Sequence, residues 1–209
     1  MSGCCEDKAC DLAQLRGAQA RTLKIVLAIN AWMFFLEFGA GIVATSTALM
    51  ADSLDMLGDA MVYGVTLYVI NRSERARSGA ALFKAFAMLA FGLFVLAEVA
   101  YKILFPALPA APAMGAIGLL ALAANSVCLW LLMRHRSDDL NMRSVWLCSR
   151  NDIVANIGVI AAAGAVWFTV SPWPDIAIGL LIAMLFLHSA AGVMRAALRE
   201  FRQTNRAKS

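Results

Sequence analysis

Ala51-Asp52-Ser53-Leu54-Asp55-Met56-Leu57-Gly58-Asp59 lies inside an apolar block that runs from about 48 to 70. A block of about 20 apolar residues is what a helix needs to cross a hydrocarbon core about 30 Å thick. Aspartates do not belong there. Each costs several kcal/mol in hydrocarbon unless it is paired, neutralised or turned toward a water-filled cavity. Asp55 and Asp59 are four apart and stack on one helical face, where like charges repel. A divalent cation removes that repulsion, and a proton removes it when the cation leaves. The stretch therefore reads as a membrane helix built around a cation.

The rest of the chain agrees with a membrane reading. Of 209 residues, 61% are hydrophobic, above the roughly 45–50% of a soluble domain. The apolar blocks run approximately 23–45, 48–70, 80–104, 114–134, 143–169 and 175–196. Thr45-Ser46-Thr47, Asn71 to Ser78, the proline-rich Phe105 to Pro112, Arg134 to Asn141 and Ser171-Pro172-Trp173-Pro174 break them. The fold class expected is an all-α membrane protein with six transmembrane helices. Residues 1–22 read as an N-terminal tail, 23–196 as the membrane domain and 197–209 as a short basic tail.

Charge sets the orientation. Arg16, Arg21 and Lys24, then Arg72, Arg75 and Arg77, then Arg134, Arg136 and Arg143, then Arg195, Arg199, Arg202, Arg206 and Lys208 fall on one side, with Lys102 the nearest exception on the other. The positive-inside rule puts both termini in the cytosol, in a multi-pass protein of the bacterial cytoplasmic membrane. The basic residues beside the spans serve anionic lipid. The first residues do not have the form of a cleavable signal, and the chain after the sixth span is too short for a folded soluble domain.

A second set of candidate ligands lies in the fifth block. Cys148 and Asp152 repeat the four-residue spacing, so two helices offering two ligands each make a four-coordinate site from Asp55, Asp59, Cys148 and Asp152. Carboxylates with one thiolate suit Zn²⁺ and the softer Cd²⁺, whereas Mg²⁺ and Ca²⁺ have no use for the sulfur. Taken alone, Cys148 reads as a small buried hydrophobe; its register with Asp152 favours a ligand. Cys4, Cys5 and Cys10 sit on the side where thiols stay reduced, and read equally as soft-metal capture or as incidental thiols.

These stretches resemble the cation diffusion facilitators, six-helix exporters of zinc and related metals. Asn30 to Asp59, with Glu37, Gly39, Gly41, Ser46 and Leu49-Met50-Ala51-Asp52, looks like that family's first two helices. Asn151-Asp152 with Asn156-Ile157-Gly158-Val159-Ile160 looks like its fifth, with Cys148 where histidine is usual. Trp173-Pro174-Asp175, Gly179-Leu180-Leu181-Ile182-Ala183 and Ser189-Ala190 look like its sixth. The resemblance implies that Asp55, Asp59, Cys148 and Asp152 bind the transported ion midway through the bilayer. It implies alternating access with protons returning, and a homodimer joined within the membrane. The protein is thus expected to be a secondary active transporter rather than an enzyme, with a divalent metal and protons as partners and neither cofactor nor nucleic acid. A membrane sensor or assembly partner that binds metal without transporting it is the alternative. Two departures from the family are expected: no cytosolic C-terminal domain, and Ala81-Leu82-Phe83-Lys84 in place of a Gly-His pair before the third helix.

The remaining polar residues in the blocks have ordinary readings. Glu98 and Lys102 are four apart and are expected to pair, as is Lys84 with Asp52. Glu37, in Glu37-Phe38-Gly39-Ala40-Gly41, reads as structural among small residues that permit close helix contact, with a proton pathway as the other reading. His188 reads as hydrogen-bonded and structural, and the eleven methionines as gap-filling.

Overall fold

Apolar length decides where a helix crosses a membrane, and helix-forming flanks carry it further. The computed structural model describes the backbone at residues 3–69, 74–134 and 140–206, and the side chains at 17–65, 67, 83, 86–134 and 152–192. The described residues form six helices and no strand: α1 (Gly3–Ala44), α2 (Thr47–Val69), α3 (Glu74–Leu104), α4 (Ala111–Met133), α5 (Leu140–Thr169) and α6 (Trp173–Arg206). Every expected span is a helix. The helices outrun the apolar blocks mostly at the end that carries the basic residues, because Ala, Leu, Gln and Arg there are good helix formers and no proline interrupts them. Pro112 and Pro174 occupy the first turns of α4 and α6, where the missing N–H is not needed.

Among the described residues five segments are long and apolar enough to cross a membrane: Gly17–Ala44, Phe86–Leu104, Ala111–Met133, Asp152–Thr169 and Trp173–Gly192. The remaining helix, α2, is the one that carries Asp52, Asp55 and Asp59. Those charges are tolerated because other helices surround α2. It packs on α1, α3, α5 and α6, while α1, α4 and α5 close the other contacts of a four-helix group and α3 pairs with α6. Large apolar side chains face outward along the other helices, Val43 and Phe168 each 86% exposed and Trp32 and Phe35 each 70%. Lipid covers such faces.

The turns that join α1 to α2 and α5 to α6 both begin with a β-branched residue in the left-handed region, Thr45 at φ 53° and Val170 at φ 50°. Each closes its helix with recognisable bonds. Ser46 N donates to Gly41 O (2.9 Å) and Thr45 N to Ile42 O (3.2 Å), the paired bonds of a Schellman cap. Val170 N donates to Val166 O (2.9 Å), the single bond of an αL cap. Glycine is the usual residue at such positions, and a left-handed β-branched residue costs about 1–2 kcal/mol. Neighbouring contacts hold Thr45 there. Lys102, buried near the end of α3, donates its ammonium to Thr45 O, and Ala110 N donates to Ala44 O (3.0 Å). The cation thus sits on the carbonyl end of α1, where the helix dipole favours it. Lys102 does not pair with Glu98 as the i, i+4 spacing predicts: a few tenths of a kcal/mol for an intrahelical ion pair loses to a buried carbonyl that needs a donor. The predicted partner of Asp52, Lys84, has its side chain outside the described residues.

Candidate metal site

Interior polar groups in this protein are organised around α2, and its N-terminus is built from three parts of the chain. Ser46 is the N-cap: its Oγ accepts from Leu49 N at 3.1 Å and its hydroxyl donates to Asp175 Oδ1 at 2.6 Å. Asp175, in the first turn of α6, also accepts from Thr47 N through Oδ2 (2.8 Å) and from Ala48 N through Oδ1 (3.0 Å). One fully buried carboxylate therefore serves first-turn N–H groups of α2 that have no partner within the helix, while lying at the positive end of its own helix. Two glycines let the backbones meet here. A Cβ at Gly179 would lie 2.7 Å from Thr47 Cγ2 and 3.3 Å from its carbonyl carbon, and one at Gly41 would lie 3.1 Å from Met50 N.

Three residues further into α2, Asp52 Oδ2 accepts from Asn156 Nδ2 of α5 at 2.8 Å. Asn156 Oδ1 in turn accepts from Asn125 Nδ2 of α4 at 3.2 Å. All three residues are at most 1% exposed. The Asp52–Asn156 bond sets the register between α2 and α5. The start of α2 meets the start of α6, which follows the end of α5, so α2 and α5 run in opposite directions. With a rise of about 1.5 Å per residue, Asp55 lies about 4.5 Å beyond the Asp52–Asn156 level and Asp152 about 6 Å beyond it in the same direction. Asp59 and the backbone of Cys148 follow at about 10.5 Å and about 12 Å.

The predicted ligands thus fall on two facing helices. Asp59 and Asp152 are buried and Asp55 half-buried. Asp59 Oδ2 accepts from the Tyr63 hydroxyl one turn along α2, which orients the carboxylate. The Cys148 side chain lies outside the described residues, as do those of Cys4, Cys5 and Cys10. Among the described residues no three His, Cys, Asp or Glu side chains converge on a common point suited to a metal ion, so the four-ligand set rests on register.

The fold brings together several polar groups outside the predicted ligand set. Cys128 of α4, fully buried and reduced, accepts from Asn30 Nδ2 at 3.7 Å; Asn30 also donates to Val26 O at 2.9 Å. Asn125 and Asn156 join α4 to α5 amide to amide, while Asn30 reaches from α1 to the Cys128 thiol, and the signal that would have found them is an asparagine in each of three apolar blocks. Glu37 of α1 stands within hydrogen-bonding reach of Asp52 across the α1–α2 contact.

Helices that are apolar outside and lined with carboxylates and amides inside define a polytopic membrane domain of the kind that handles ions. Comparison with known proteins makes the class specific: residues 23–201 match the cation efflux transmembrane domain, and the chain belongs to that family. It is similar to the metal cation efflux system protein CzcD of Cupriavidus metallidurans, 26% identical over 183 residues that cover 82% of this chain and 58% of that protein. It is also similar to the cadmium, cobalt and zinc/H(+)-K(+) antiporter of Bacillus subtilis, 24% identical over 86% of this chain and 62% of the relative. The zinc transporter ZitB of Escherichia coli is 26% identical over 87% and 62%. The chain spans about three-fifths of the length of these curated relatives.

Proposed function

We propose that this protein exports divalent metal ions, zinc foremost and cadmium as well, across the bacterial cytoplasmic membrane in exchange for protons. The observation that carries the reading is the Asp52–Asn156 bond between antiparallel α2 and α5. The register it sets supports a site in which Asp55 with Asp152, and Asp59 with Cys148, form two adjoining levels that a tetrahedral ion can bridge. Carboxylates and a thiolate must be deprotonated to hold metal, so loading releases protons and protonation ejects the ion. Rocking of helices around this site exposes it to one side and then the other. The basic ends of the helices favour cytosolic termini, and family membership favours a homodimer joined within the membrane. Membership in a cation efflux family and relatives named for zinc and cadmium support the substrate.

The test is zinc uptake by inside-out vesicles with an imposed proton gradient. Wild-type protein is expected to accumulate zinc and to release protons from the vesicle interior. Asp59→Ala and Asp152→Ala are expected to insert normally and carry none. Wild-type flux in either variant would remove that residue from the site, and flux indifferent to a collapsed gradient would exclude antiport.

A further inference from the structure

The proposed metal ligands leave one fully buried carboxyl without a task. Glu37 is 0% exposed, and neither of its oxygens has a hydrogen-bond donor. What faces it is another acid, the Asp52 carboxyl on α2. Two fully buried carboxylates in contact cannot both be charged without a cation between them, since each has lost its water and each repels the other. A proton on one of them resolves this by making an O–H to O⁻ hydrogen bond, which is among the stronger kinds.

The neighbouring amides say which one carries it. Asn125 donates to Asn156, and Asn156 donates to Asp52. As placed, both amides point their N–H groups along the ladder toward Asp52, so it ends by donating to that carboxylate. Asp52 is therefore the stabilised anion and Glu37 the acid.

The ionisable surroundings are few. On α2, Asp55 acts on Glu37 through space. On α4, Cys128 keeps company with Asn30. On α5, Asp152 lies one turn from Asn156. On α3, Lys102 is committed to Thr45 O and Glu98 stands a turn before it; on α6, Asp175 is committed to the start of α2. Among the described residues no cation reaches the pair.

We propose that Glu37 and Asp52 together hold one proton between α1 and α2, and that this proton is a coupling proton of the transport cycle, kept apart from the metal ligands. A dication settling at Asp55 lowers the cost of a fully ionised pair, and Glu37 gives up its proton; when the ion leaves, the pair takes a proton back. Linkage makes the effect reciprocal, so protonation of the pair weakens metal binding by the same factor. The O–H bond of Glu37 is the only bond broken, and the proton passes to water. The proposal rests on the antiport reading above, and its experiment separates the two.

Protons released per zinc bound would be counted with a pH dye in weakly buffered, purified full-length protein, for wild type, Glu37→Gln and Asp52→Asn. Glu37→Gln keeps the shape and supplies a donor to Asp52. It is expected to release one proton fewer per zinc, so that its zinc affinity changes about tenfold less per pH unit than wild type. In vesicles it is expected to retain zinc-for-zinc exchange and to accumulate less zinc than wild type for the same pH gradient. The same proton count and the same accumulation as wild type in Glu37→Gln would overturn the inference while leaving antiport standing. A wild type that releases no proton on binding zinc would overturn both. Should both variants fail to fold, infrared difference spectra of the wild type decide: the C=O stretch of a protonated carboxyl is expected in the metal-free protein and lost on adding zinc, and its absence from the metal-free protein overturns the proposal.

Discussion

Asp175→Ala is the change whose effect is best worked from the structure. The carboxylate accepts from the Ser46 hydroxyl at 2.6 Å, Thr47 N at 2.8 Å and Ala48 N at 3.0 Å. Ser46, Thr47 and Ala48 are all 0% exposed, so truncation strands three donors with little access to water. A hydrogen bond to a charged group contributes about 1.5–3 kcal/mol, but the three share one partner and do not add. The cost of removing one member of a buried charged cluster, about 3–5 kcal/mol, is the better guide. At about 2–4 °C per kcal/mol for a chain of this size, that is a fall of about 6–20 °C in the midpoint of thermal unfolding. Asp175→Asn keeps one acceptor oxygen and should lose roughly half as much. Ser46→Ala should cost about 1 kcal/mol as a lost N-cap. Heating the detergent-solubilised protein and following the surviving folded fraction by size-exclusion chromatography reads all three. The double change Ser46→Ala with Asp175→Ala should cost less than the two separately, because Ser46 and Asp175 bond each other. A midpoint for Asp175→Ala within error of wild type would refute the reasoning that this carboxylate closes the start of α2.

Gly179→Val should force α6 from α2, since even a Cβ would meet Thr47 at 2.7 Å; a loss of about 1–3 kcal/mol is expected in the same heating assay, and an unchanged midpoint would show that the helices can part freely. Tyr63→Phe removes the hydroxyl that donates to Asp59, and an outer-shell loss of this kind should weaken zinc binding by about tenfold or more in calorimetry. Cys148→His should keep zinc transport and weaken the preference for cadmium, because thiolate is the softer donor; equal metal preference in wild type, Cys148→His and Cys148→Ala would take Cys148 out of the site.

Much of the architecture was legible because a membrane is a severe solvent. Any segment inside it must satisfy its own backbone, so length and apolarity alone mark the helices, and the turns at Thr45-Ser46 and Ser171-Pro172 stood out as polar breaks. The acids of α2 were legible as anomalies for the same reason. Reading the local spacing went wrong where a nonlocal partner was stronger, as with Lys102, which the fold takes from Glu98 and gives to the carbonyl end of α1.

The sequence by itself determined that the chain crosses a membrane as helices, that α2 carries charge into it, and that Asp55 with Asp59 and Cys148 with Asp152 share a face on their own helices. Helix periodicity and the cost of a buried charge are local properties, readable from spacing and composition. Only the tertiary structure decided that Asp175 closes a helix 127 to 129 residues earlier in the chain. It likewise decided that Asp52 meets Asn156 across 104 residues and that Glu37 faces an acid and, among the described residues, no cation. Each of those contacts depends on how helices cross and on where glycine lets backbones approach, and a directional bond of about 3 Å holds only when several helices are placed together.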